Sequence, residues 1–230
     1  MGKVRILSYN EEPFRDRIEA AQLLAEELTK FRGKNVSVLG IPRGGIIVAR
    51  EIASALDASL DIVLTHKLGA PGNPELAIGA ITEDGRIFLN EMLASQVGAQ
   101  NAYLQEEKAR QLAVIKRRGE QYRKVLPRVS LKDNIAIITD DGVATGATMK
   151  AALWAARQEH PKVLIAALPV GPADTIRELA RDADEVVCLR CPSFFAAIGQ
   201  FYLDFSQVED EEVLEILKKE VERKTKDENG

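Results

Sequence analysis

The sequence predicts an α/β protein in which parallel strands alternate with helices. Three observations carry that prediction. Short β-branched runs recur between longer segments of helical periodicity. The strand runs are almost continuously apolar, as expected of strands covered on both faces. Glycine-rich segments fall directly after several of them, where the loops of an open parallel sheet lead into helix N-termini and where ligands bind.

Taken in order, residues 13–29 read as a helix with Ile18, Ala21, Leu24, Ala25 and Leu28 on one face. A strand at 36–39 leads through a glycine-rich turn into a helix at 45–56, and a second strand follows at 60–65. Residues 77–81 and 86–89 form a further strand pair joined by "TEDG", whose Asp-Gly favours a tight hairpin; the pair is expected to extend the sheet at one edge. Residues 90–122 read as an inserted helical arm, capped by Asn90 and broken at Gly98. The pattern then returns to strands at 135–139, 163–168 and 185–189, with helices at 145–159, 173–181 and 210–222. The tail "RKTKDENG" is charged and expected to fray. With no repeat, linker or low-complexity tract, the 230 residues read as a single domain.

Composition narrows the function classes. A hydrophobic share of 46% supports a substantial core, while 29% charged residues of mixed sign leave a net charge of only −4. Such a balance recruits neither nucleic acid nor anionic lipid. The basic run Lys116, Arg117, Arg118 sits among acids and reads as a solvated helix face, as do Arg15 and Arg17 in "FRDR". No apolar run approaches the ~20 residues of a membrane span, and "MGKVRILSYN" lacks the apolar middle of a signal peptide, so a cytoplasmic location is expected. The pair "CLRC" reads as a buried Cys188 ending a strand and a loop Cys191; a redox role would require a depressed thiol pKa. Trp154 falls on the apolar face of its helix and reads as core.

Two segments carry the chemistry. In "GIPRGG" (residues 40–45) the glycines let the backbone approach an anion, and Arg43 offers a forked cationic donor. In "IAIITDDGVATGATM" (residues 135–149) an apolar strand runs into Asp140 and Asp141 and then a loop opening a helix. That helix end can hold a phosphate through unpaired N–H groups and the Thr145 and Thr148 hydroxyls. The carboxylates would repel phosphate; they suit hydroxyl groups and hydrated Mg2+. The ligand so described has a phosphate at one end and vicinal hydroxyls beside it, as a ribose 5-phosphate does.

"IITDDGVATGATM" resembles the signature with which type I phosphoribosyltransferases bind phosphoribosyl pyrophosphate (PRPP), and the order of strands and helices fits that family across most of the chain. The resemblance implies a Rossmann-like three-layer α/β fold with a mostly parallel sheet and a small C-terminal hood at about 190–223. It implies that Asp140 and Asp141 hold the ribose hydroxyls and Mg2+, and that Gly142, Val143, Ala144, Thr145, Gly146, Ala147 and Thr148 cradle the 5-phosphate. Pro42, Arg43, Gly44 and Gly45 fall where the family places its pyrophosphate loop. "THKLGAPGNPELAIGA" (residues 65–80) lies where the family carries a mobile loop that closes over the site, with Lys67 as the candidate cation and His66 and Glu75 as further candidates. Arg43, Lys67 and Asp141 are thereby the expected catalytic residues.

On the acceptor side, "PSFFAAIGQFYLDF" (residues 192–205) holds five of the twelve aromatic residues. It is similar to the base-binding stretch of the hypoxanthine-guanine enzymes, which makes Phe195 the expected stacking residue and Asp204 the accompanying acid. The spacing departs by one residue before Gly199 and one after it, Ala144 stands where those enzymes carry an acid, and no matching lysine occurs in "LPVGPA". Packing of the last helix onto the sheet is the competing reading of these aromatics. The expected function is an Mg2+-dependent phosphoribosyltransferase with a nitrogen acceptor, acting as a homodimer; a PRPP- or nucleotide-sensing regulator is the alternative.

Overall fold

The computed structural model describes residues 1–228, apart from the side chains of Glu75 and of residues 226–228. The strands are β1 (Lys3–Ser8), β2 (Val36–Gly40), β3 (Ser59–Ile62), β4 (Thr65–Ala70), β5 (Asn73–Thr82), β6 (Ile87–Leu89), β7 (Ile135–Thr139), β8 (Val163–Val170) and β9 (Glu185–Arg190). The helices are α1 (Arg17–Glu26), α2 (Gly44–Leu56), α3 (Glu91–Gln96), α4 (Asn101–Val125), α5 (Ala147–Arg157), α6 (Ala173–Leu179) and α7 (Asp210–Glu228).

Six strands form one parallel sheet in the order β1-β9-β8-β7-β2-β3. Successive side chains on a strand point to opposite faces, and both faces here are apolar. Thus Val38 and Ile137 join α1, α2 and α7 in one buried cluster, while their neighbours Leu39 and Ile138 join α5 and α6 in the other. The result is the three-layer α/β arrangement expected from the uninterrupted apolar runs. Because the chain steps outward from β2 to β3 on one side and from β7 through β8 to β9 on the other, the order switches between β2 and β7. Gly40 pairs with Thr139 at that point, so the two loops singled out in the sequence leave the sheet side by side.

Several expectations need correction. The strand pair does not extend the main sheet: β4, β5 and β6 form a separate antiparallel sheet whose first two strands pack against α5. The segment expected as a mobile loop is itself the β4–β5 hairpin, because alternating apolar residues such as Leu68, Ile78 and Ala80 bury one face. The first strand, β1, was not predicted, since "KVRILS" mixes charge with apolar residues as an edge strand does. The first helix begins at Arg17, where Asp16 accepts from the Glu19 N–H as N-cap, and Ile18 points outward. The tail is helical through Glu228 rather than frayed; residues 229–230 lie outside the described residues.

The arm keeps its expected start and break. Asn90 accepts from the Leu93 N–H at 3.1 Å, and Gly98 adopts φ +67, a conformation that favours glycine. The arm is tied to the sheet by polar contacts. Asp61 of β3 is buried and accepts from the Arg123 guanidinium, from the Val129 N–H at 2.8 Å and from the Ile62 N–H at 2.7 Å. Arg123 also donates to Glu83 at 3.0 Å, which couples α4 to the small sheet.

Removing one partner of such a cluster leaves a buried charge without compensation. Asp61→Ala is expected to lower unfolding free energy by about 3 kcal/mol in urea titrations; a change below about 0.5 kcal/mol, the range of an ordinary surface substitution, would contradict the anchoring role of this carboxylate.

Candidate active site

The site grows out of the switch point. Past Thr139, Asp140 and Asp141 face the turn after β2, and the fit is close enough to demand glycine. A Cβ on Gly44 would lie 2.0 Å from Asp141 Oδ2, and one on Gly45 would lie 2.8 Å from Asp140 Cα. The two motifs are therefore one unit. The peptide between Pro42 and Arg43 is cis.

The two acids differ. Asp140 is half-buried; its Oδ1 accepts from the Asp141 N–H at 2.9 Å, and burial and then the neighbouring Asp141 charge push its pKa well up. Asp141 is buried, and its Oδ2 accepts from Arg17 Nε at 2.8 Å. Burial also raises the Asp141 pKa, and the Arg17 hydrogen bond and charge oppose the rise. The structure corrects the reading of Arg17 as a solvated helix charge: it is 8% exposed, donates to the Ser206 carbonyl at 2.9 Å and lies 3.9 Å from the centre of the Phe205 ring. A signal existed in the sequence. A cation in the first turn of a helix opposes the helix dipole, so Arg17 requires a compensating carboxylate.

After the acids, the chain forms a cradle. Residues 142–149, with Asp140 and Ile198, line a cavity of about 170 Å3. Gly146 adopts φ +80 at the N-cap of α5, while Ala144, Thr145 and Thr148 are exposed. The Val143 N–H is already spent on the Val170 carbonyl at 2.9 Å, and Thr175 braces the loop by donating to the Ala144 carbonyl at 2.9 Å. Met149 and Ile198 also line this cavity, and sequence reasoning named neither.

A second cavity of about 240 Å3 adjoins the cradle through Thr148 and reaches Pro42, His66, Lys67 and Arg118. Lys67 thus stands on a strand beside the glycine turn. His66 Nδ1 lies 2.9 Å from Gln111 Oε1, and Gln111 Nε2 donates to the buried Glu107 at 2.8 Å. Because Glu107 fixes the amide orientation, His66 must carry its proton on Nδ1. Burial, aided by the Arg118 charge, holds the His66 pKa below its ordinary value. Of the basic run, Lys116 and Arg117 are exposed as expected, but Arg118 is half-buried and turned to this cavity. Arg43 donates to Glu209 at 2.9 Å. Glu75 lies in β5, and its side chain is outside the described residues.

The C-terminal hood is zipped to the segment before α1: the Phe14 N–H donates to Phe201 O and the Leu203 N–H to Phe14 O, each at 2.8 Å. Tyr202 donates to the Asp141 carbonyl at 2.6 Å and stacks on Phe205 with ring centres 5.0 Å apart. Phe195 tilts against Phe201 at 5.1 Å, whereas Phe194 is exposed. Asp204 accepts from the Ser206 N–H at 3.1 Å and so holds a turn. Phe201, Tyr202 and Phe205 thus pack among Phe195, Phe14 and Arg17, joining the hood to the start of α1. Trp154 is half-buried and donates to Asp182 at 2.7 Å. Cys188 and Cys191 are both buried free thiols, 3.7 Å apart; Cys188 lies near the end of β9 and Cys191 in the loop after it, as expected. The Cys188 hydrogen bond lowers the Cys191 pKa, and burial raises that of Cys188.

Comparison with known proteins agrees with this geometry. A phosphoribosyl transferase domain model matches residues 15–206. The protein TT1426 from Thermus thermophilus is 46% identical and superposes with a TM-score of 0.84 over 90% of this chain and 98% of that one. Two Mycobacterium tuberculosis proteins, "Putative phosphoribosyl transferase Rv0571c" of strain H37Rv and "Putative phosphoribosyl transferase MT0597" of strain CDC 1551, are each 45% identical over 204 residues. That alignment covers 89% of this chain and 46% of each relative, so the chain spans about half the length of the curated relatives it matches. No helix among the described residues is long and apolar enough to cross a membrane.

The Arg17–Asp141 pair generates a sharp expectation. Arg17→Met should destabilise the protein by about 3 kcal/mol at neutral pH, because it strands a buried carboxylate. Asp141 then titrates higher still, so the loss should shrink as pH falls and the carboxyl protonates. Denaturant titrations at neutral and acid pH check this; an equal loss at both would show that Arg17 acts by packing alone.

Proposed function

Since the chain belongs to the phosphoribosyl transferase domain family, we propose that it is an Mg2+-dependent phosphoribosyltransferase, moving the phosphoribosyl group of PRPP to a nitrogen acceptor of the nucleobase or related heterocycle class and releasing pyrophosphate. The observation that carries this reading is the convergence, at the switch point, of a phosphate-sized cradle, two acids and a glycine turn bearing Arg43.

In this reading the 5-phosphate occupies the cradle, held by loop N–H groups and the Thr145 and Thr148 hydroxyls. Asp140, half-buried and carrying a carboxyl whose ionisation is disfavoured by burial and by its neighbour, accepts hydrogen bonds from the ribose hydroxyls. The same uncompensated charge suits a cation. Mg2+ is commonly held by one or two carboxylates plus phosphate oxygens, the donors that an acid pair beside a bound diphosphate offers. Asp140 and Asp141 would hold it, and when bound it supplies positive charge to the pyrophosphate. Asp141 is fixed by Arg17 and keeps the acid pair in register.

The acceptor nitrogen forms a bond to the ribose C1 as the C1–O bond breaks, and the electron pair leaves with pyrophosphate. Arg43 and Lys67 stabilise the charge that develops there. Arg43 exchanges Glu209 for ligand oxygens to do so. In this reading Phe195 and the hood serve the acceptor, with an apolar ring as the stacking face.

Pyrophosphate release from Mg-PRPP against a panel of purine and pyrimidine bases, heterocycles and amines tests this directly. Acceptor-dependent release is expected; failure to bind PRPP at all would refute the reading, and binding without release would favour the regulator. Asp140→Asn should weaken Mg-PRPP binding by about tenfold or more while leaving Tm unchanged or higher, since it removes a disfavoured buried charge. Lys67→Ala should lower kcat more than PRPP affinity, because its contribution grows with charge on the leaving group. Equal losses in both would assign it to ground-state binding.

A further inference from the structure

The helical arm is more than an anchored insertion, because one of its side chains faces the cavity next to the cradle. That cavity, of about 240 Å3, is unusual for an acidic chain: His66, Lys67 and Arg118 line it together with Thr65 and Thr148, and no carboxylate lines it among the described residues. Arg118 Nε is buried and has no hydrogen-bond partner. Its nearest carboxylate, Asp210, is 3.9 Å away, beyond hydrogen-bond range, and Asp210 already accepts from Tyr122 at 2.5 Å. The Nε is closed off from the cavity, so the outer nitrogens of the guanidinium are what a ligand there meets, and they donate best to charged oxygens.

The position of Arg118 is built, not incidental. Glu107, Gln111, Ile115, Arg118 and Tyr122 recur at three- and four-residue spacing and so share one face of α4. Ile115 and Tyr122 are fully buried on either side of Arg118, and Gln111 grips His66 toward the start of the same face. The arm therefore reaches the cavity at two points. Thr148 lines this cavity and the cradle alike, so a ligand whose 5-phosphate sits in the cradle has a basic compartment immediately beside it.

Resting on the reading of the site as a PRPP site, we propose that Arg118 of the inserted arm is a ligand-contact residue that donates to the diphosphate group, so that the arm forms one wall of the leaving-group compartment. The forked guanidinium matches phosphate oxygens better than an ammonium does, and its apolar surroundings strengthen the contact.

Isothermal titration of the full chain with Mg-pyrophosphate, Mg-PRPP and ribose 5-phosphate tests this, comparing Arg118→Gln and Arg118→Lys with Arg117→Gln on the exposed face of the same helix. Arg118→Gln should weaken pyrophosphate and PRPP by about tenfold, a loss typical of a charge-assisted hydrogen bond, and leave ribose 5-phosphate unchanged. Arg118→Lys should fall between, and Arg117→Gln should match the parent. Unchanged pyrophosphate binding in Arg118→Gln would overturn the proposal, as would an equal loss for all three ligands, which marks a merely structural residue. If the parent protein bound none of the three, the PRPP reading itself would fail.

Discussion

The rest of the site depends on where one guanidinium sits. Arg17 opens α1, but its side chain turns away from solvent and meets Asp141 at the end of β7, with the Phe205 ring over its face and the Ser206 carbonyl at its other end. One residue thereby joins the first helix, the central strand and the C-terminal hood. Such a pair need not add net stability over an apolar replacement, but leaving either partner alone in the interior is expensive. Its consequence is registration: Asp141 is held in one place, the Tyr202 hydroxyl clasps its backbone carbonyl, and the turn after β2 can pass only because Gly44 has no Cβ.

Fixing Asp141 leaves Asp140 as the less buried member of the pair and gives two adjacent carboxyls different surroundings. Asp140 faces the cradle and carries charge that its surroundings do not neutralise, while Asp141 is neutralised from within. Around them the electrostatics are local. A net charge of −4 over the whole chain says nothing of a compartment that His66, Lys67 and Arg118 line together. Focusing by low-dielectric surroundings makes such local arrangements matter more than the overall balance.

The arm illustrates how polar residues can place a helix. Beside the apolar contacts of Tyr103, Leu112, Ile115 and Tyr122, α4 turns Glu107, Gln111, Arg118 and Arg123 toward the body. Gln111 bonds to His66 and Glu107, and Arg123 to Asp61 and Glu83, whereas the Nε of Arg118 has Asp210 at 3.9 Å and no hydrogen-bond acceptor. Networks of this kind specify one docking position, because any other would leave charges buried and unpaired.

Much of this was legible in the residues themselves. Apolar runs of strand length fixed the parallel sheet and its covered faces, glycine placement marked the switch-point loops, and Asn90 and Gly98 punctuated the arm. Asp140 and the loop from Gly142 to Thr148 line one cavity because a strand end and the helix start after it are arranged by local chain geometry, which spacing encodes. What spacing could not encode was pairing across the chain. Arg17 and Asp141 are 124 residues apart, His66 and Gln111 are 45 apart, and Arg118 looks like its exposed neighbours until Ile115 and Tyr122 orient the helix. The separation of β4–β6 from the main sheet was hidden for the same reason, since an apolar strand reads alike whichever sheet it joins. Local periodicity determines which elements form and where their loops lie; only tertiary packing decides which charges lose water together, and so which residues act as partners.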